Sequence, residues 1–170
     1  MMLVMALAFT PISLAFMPAL APRCAQQHRA PSPMMAVGIR RFISDLEFLG
    51  PCRFVVQGEG AILEAVGAFE GMREDESKSL LTVSNDDNSF ECHIRLDQIK
   101  GATFAKKEAG PRGTLHIVRL LSAEKKSLLS AILHPETPGG EVEEDAVKFW
   151  DSLRAKFGDE LDLDLAEPDA

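Results

Sequence analysis

Between residues 53 and 133 the apolar runs are short, and nearly every one ends on a turn signal. Residues 53–57 and 61–69 read as two strands separated by Gly58-Glu59-Gly60, a break or bulge. Residues 80–84 and 90–96 flank Asn85-Asp86-Asp87-Asn88, residue types that tolerate left-handed backbone and so favour a tight turn. In the second of these strands Phe90, Cys92, Ile94 and Leu96 alternate with Glu91, His93 and Arg95, the pattern of a half-buried strand. Residues 102–106, 114–121 and 127–133 complete the set, separated by the Pro- and Gly-bearing segment 108–113 and the turn 122–126. Residues 71–78 are charged and read as a loop, and 97–100 as a turn. No strand–helix–strand alternation occurs, so the strands must pair antiparallel.

Helical spacing appears only outside this region. Ile39, Phe42, Ile43, Leu46 and Leu49 mark a helix over 37–49 that Gly50-Pro51 stops. Val142, Ala146, Phe149, Trp150, Leu153 and Phe157 form the stripe of a second helix over 141–157, with acids in its first turn, Arg154 and Lys156 in its last, and Gly158 beyond. The sequence therefore predicts an α+β domain over 36–158, an antiparallel sheet flanked by N- and C-terminal helices. Residues 159–170 are acidic and read as a disordered tail.

The first 35 residues read as an address. Residues 1–20 are almost wholly apolar and carry no charge, and Pro11 and Pro18 interrupt them, which opposes a membrane-spanning helix. Residues 21–33 add Arg, Gln, Ser and Pro with no acid, the composition of a transit peptide. Ser13-Leu14-Ala15-Phe16-Met17-Pro18 resembles the phenylalanine-centred cleavage motif of bipartite plastid presequences in algae with secondary plastids of the red lineage. The expectation is a signal and transit peptide over 1–35, a plastid location, stromal or thylakoid-associated, and no membrane span in the mature protein. Secretion is the alternative, and the lack of a disulfide framework opposes it. Cys24, Cys52 and Cys92 contain no C-x-x-C pair, so the two beyond the presequence read as reduced thiols.

The formal net charge is −8, and the segment before Met35 holds two arginines and no acid, so the mature part is more acidic still. Such a surface repels phosphate backbones, and nucleic acid is not an expected partner. No nucleophile elbow, P-loop, dinucleotide fingerprint or zinc motif occurs, and there is no tyrosine. An enzymatic role is therefore not assigned from motifs.

Four segments resemble one family. They are Phe48-Leu49-Gly50-Pro51-Cys52-Arg53-Phe54-Val55-Val56; Gly60-Ala61-Ile62-Leu63-Glu64 running on to Gly67 and Phe69-Glu70-Gly71; Cys92-His93-Ile94-Arg95-Leu96-Asp97-Gln98-Ile99; and the hairpin formed by 113–121 with 127–133. Their order and spacing, closed by the helix with Phe149 and Trp150, resemble the haem-utilisation proteins of the HemS/ChuX/HutX type. The resemblance implies haem, or a related tetrapyrrole, bound in a cleft beside the sheet for storage or transfer, and in some members degraded. It also implies modules used in pairs, hence a homodimer. The same fold without haem would suit an accessory or assembly protein of a plastid complex.

By resemblance His93 is the first candidate iron ligand, since single-module members carry a histidine at the matching position. Gln57 stands where a second histidine is common, and an amide is a poor iron ligand beside imidazole. His116, between Leu115 and Ile117 on its strand, is the third cofactor-binding candidate. His134 reads as loop surface. Arg53, Arg95 and Arg119 could pair with haem propionates, although solvated sheet charge is the simpler reading of each.

Overall fold

The computed structural model describes residues 36–87, 89–110 and 113–166; the expected presequence lies outside them. Chain order is β1 (Val37–Gly38), α1 (Ile39–Asp45), a 3-10 turn (Leu46–Leu49), β2 (Cys52–Gln57), β3 (Ile62–Gly67), β4 (Arg73–Asp75), β5 (Leu80–Ser84), β6 (Glu91–Arg95), β7 (Gly101–Glu108), β8 (Thr114–Leu121), β9 (Ser127–Leu133), α2 (Glu144–Phe157) and β10 (Glu160–Asp164). A seven-stranded sheet runs β1-β10-β7-β8-β9-β2-β3, and a three-stranded sheet runs β4-β5-β6. All pairings are antiparallel except that of β1 with β10. This is the α+β class that period-two patterning between two helices requires, divided into two sheets rather than one.

Register fixes the core. Phe104, Val118, Ala131 and Phe54 form one cross-strand row of the large sheet, and all four are buried. The same face takes both helices. Phe42 of α1 meets Phe104 and Phe157 edge-on, at 6.1 and 5.3 Å between ring centroids. Trp150 of α2, fully buried, stands edge-on to Phe104 at 5.5 Å. A second aromatic knot docks the small sheet: Phe54 lies 4.9 Å from Phe69 and 4.7 Å from Phe90. Each such pair adds about 0.5–1.5 kcal/mol beyond the apolar area it buries.

Two glycines in the segments that carry the family resemblance have steric reasons. A Cβ on Gly67 would lie 2.1 Å from the Phe90 ring, so only glycine lets that ring reach Phe54. Gly71 has φ +52°, and a Cβ there would lie 2.7 Å from the Ser84 carbonyl oxygen.

Two expectations need correction. The segment read as a disordered acidic tail contains β10, which pairs with β7 and β1. Leu161 and Leu163 are buried between exposed Glu160, Asp162 and Asp164. The acids fill only the outward positions of an alternating strand, so acidity did not mean disorder. The charged segment read as a loop contains β4, a three-residue edge strand whose charges suit an exposed edge.

Leu163→Ala is expected to cost about 2–5 kcal/mol, read from the urea midpoint, whereas a solvated tail would show no change. Gly67→Ala is expected to cost about 1–3 kcal/mol by displacing Phe90.

Candidate functional site

Antiparallel pairing brings the start of β2, the end of β3, the start of β8 and the end of β9 to one rim of the large sheet. The connection from β9 to α2 passes over that rim. Between them lies a groove of about 1300 Å3. Val66, Leu115, Leu133, Val142 and Val147 give it apolar walls, and its polar groups include Arg53, Glu70, His116, His134, Glu136 and Glu141. Alternation puts His116 on the Phe54 face and Arg53 on the other, so the groove wraps the rim.

His134 follows the last residue of β9. Its backbone N–H donates to the Pro51 carbonyl at 2.9 Å, which pins it beside the start of β2. Its ring Nδ1 lies 2.8 Å from the Pro135 carbonyl oxygen. A carbonyl only accepts, so Nδ1 carries the proton and Nε2 of the neutral ring presents a lone pair. Among the described residues Nε2 has no hydrogen-bond partner.

His116 is only 8% exposed and lies edge-on to Trp150, centroids 5.1 Å apart. Its Nδ1 is buried without a hydrogen-bond partner, as is the Trp150 indole N–H. Burial first, and then the Lys106 ammonium, hold its pKa below the ordinary 6.5.

His93 sits elsewhere, on β6 directly opposite Thr82 of β5. The Thr82 hydroxyl lies 2.9 Å from its Nδ1, and a Glu91 carboxylate oxygen 3.1 Å from its Nε2. Glu91 only accepts, so Nε2–H donates to it, and in the neutral ring Nδ1 then accepts from the Thr82 hydroxyl. Arg73 holds the other Glu91 oxygen at 3.1 Å. The ring is a cross-strand brace with both nitrogens engaged, its side chain 56% exposed, and it does not line the groove. Gln57 is exposed at the far end of β2 from Cys52, where the groove lies. Of the three histidine and glutamine candidates, the structure therefore brings only His116 to the groove, and adds His134, which sequence reasoning had placed on the surface.

The arginines separate similarly. Arg95 is engaged by both oxygens of Asp97, at 2.9 and 3.2 Å. Arg119 sits in mid-strand opposite Ser130. Arg53 has a buried Nε without an acceptor, and its Nη1 is 3.7 Å from Glu64. Burial pushes the Cys52 thiol up to about 12 and also raises Cys92, so neither is a thiolate nucleophile near neutrality. Among the described residues no three His, Cys, Asp or Glu side chains cluster as a metal site.

The fold is that of the ChuX- and HemS-like α+β proteins. Its structural neighbours include haem-utilisation proteins. ChuX, described as a haem-binding protein, matches with a TM-score of 0.56 at 13% identity over 69% of this chain and 71% of its own. ChuS of Escherichia coli, described as a haem-degrading enzyme, matches at 0.57 and 19% identity over 80% of this chain and 37% of its own. A protein of Agrobacterium tumefaciens matches at 0.57 and 15% identity, over 69% of this chain and 65% of its own. At such identities the likeness establishes the fold alone. No protein-family model and no curated protein matches the chain.

His116 makes stability depend on pH with a definite sign. Its folded pKa lies below the unfolded one, so on acidification the unfolded chain takes up the proton first. Stability is lost as pH falls through 6.5, and the loss levels off at the lowered folded value. Urea midpoints measured against pH should show that limb, and His116→Asn should flatten it.

Proposed function

We propose that the protein binds haem or a related tetrapyrrole in the rim groove, for storage or transfer, inside a plastid. The groove carries this reading. A porphyrin brings its own equatorial nitrogens, so the protein need supply an apolar cleft, an imidazole and a cation for the propionates. Val66, Leu115, Leu133, Val142 and Val147 are the cleft, and histidines stand in its wall. Arg53, which lines the groove, carries the guanidinium suited to a propionate. Bound haem would supply an iron centre and the porphyrin π-system; the chain itself excludes water and holds the carboxylates. The likeness to ChuX and PhuS, both described as haem-binding, supports the ligand class.

The presequence-like composition of residues 1–35 supports the plastid location. The test of binding is a haemin titration of the full chain, in which a shifted Soret band should saturate at micromolar haemin. No shift there removes the haem reading.

A second role is favoured by β3. On the side away from β2 it has no partner strand among the described residues, and Ile62 and Leu63 on it are 61% and 69% exposed. Val66 and the adjoining Val56 are also exposed. An uncovered apolar edge strand is a pairing surface. Its occupant in this reading is a second copy, related by a two-fold axis normal to the sheet. Such an axis sets residues of like face opposite each other. A register centred on Leu63 or Ala65 then keeps Glu64, the strand's one charge, away from its mate. Sedimentation should show a dimer that Leu63→Lys dissociates and that Phe48→Lys, at an exposed apolar site off this edge, leaves intact. The accessory-protein reading, which Gln57 and this edge both support, instead requires co-migration with a large plastid complex in native extracts.

A further inference from the structure

We infer that His134, through Nε2, is the residue that ligates the iron of the tetrapyrrole bound in the rim groove. The inference rests on the haem reading and names the ligand that reading leaves open. Three observations single it out. His134 lines the groove, whereas His93 does not. Its Nδ1–H is committed to the Pro135 carbonyl at 2.8 Å, which fixes the tautomer and leaves the Nε2 lone pair without a partner. A ligating imidazole needs this arrangement: the nitrogen away from the metal donates to a carbonyl or carboxylate, which orients the ring and raises its basicity. The ring is also preplaced, because the His134 amide extends the β9–β2 ladder to Pro51. Ligation therefore has little ordering entropy to overcome.

The other histidines lack this combination. The unpartnered Nδ1 of His116 is shielded from solvent. His93 donates Nε2–H to Glu91 and accepts from Thr82, so iron there would require breaking one bond and moving a proton.

The experiment is a haemin titration of the full chain and of His134→Gly, His134→Gln and His93→Ala, followed by absorption and with folding checked by circular dichroism. Both His134 variants should lose the imidazole-ligated spectrum and bind haemin about tenfold or more weakly. Free imidazole should restore that spectrum to His134→Gly, which a structural role for the residue would not produce. His93→Ala should behave as the parent. If the parent binds haemin and both folded His134 variants keep its spectrum and affinity, or if His93→Ala alone loses them, the assignment to His134 is overturned while the haem reading stands. If the parent binds no haemin, the haem reading falls and the ligand assignment with it.

Discussion

The structure depends on one asymmetry: the helices and the small sheet all pack on the same face of the seven-stranded sheet. That face carries the Phe104–Val118–Ala131–Phe54 row. α1 and α2 press Phe42 and Trp150 against it at one end, and the segments that lead into β4 and β6 of the small sheet bring Phe69 and Phe90 to it at the other. Apolar burial in this one layer supplies the main favourable term, and any shift in strand register would turn the row to the wrong side. The groove follows from it. Because α2 must lie across β7 and β8, the chain leaving β9 has to climb over the strand ends, and the space beneath that climb is the site.

Most of the fold was legible because its signals are local. Thr114–Leu121 and Ser127–Leu133 have the bounds that alternation and turn residues gave them. The C-terminal helix begins three residues later than its acid-rich start suggested, at Glu144. β10 was missed for a physical reason: Leu161 and Leu163 carry a period-two signal only five residues long, within a segment whose composition reads as solvated. β4 carries no apolar alternation at all. Its existence is set by the edge that β5 offers, which no local reading of Arg73-Glu74-Asp75 reveals.

The site was less legible. Strand alternation correctly put His93 on a face away from the core, but it could not say that Thr82 and Glu91 would occupy both ring nitrogens. Thr82 lies eleven residues away in sequence and becomes a neighbour only through the β5–β6 register. His116 and Trp150 meet by the same kind of long-range packing. His134 did leave a trace: a histidine directly after the last residue of a strand and directly before a proline. That signal is weak without knowing that β2 lies alongside, because the Pro51 bond is what turns a loop residue into a fixed one.

Among the described residues β1 has its only strand partner in β10, so the first and last of the described strands are neighbours in the finished sheet. During synthesis, Ile39, Phe42 and Leu46 therefore leave the ribosome long before the strand that completes their edge exists. Contacts of such sequence separation are slow to form, and apolar surface stays open meanwhile. The edge that β1 opens can close only when the last strand has been made, so the N-terminal helix is the part of the core whose neighbours arrive last.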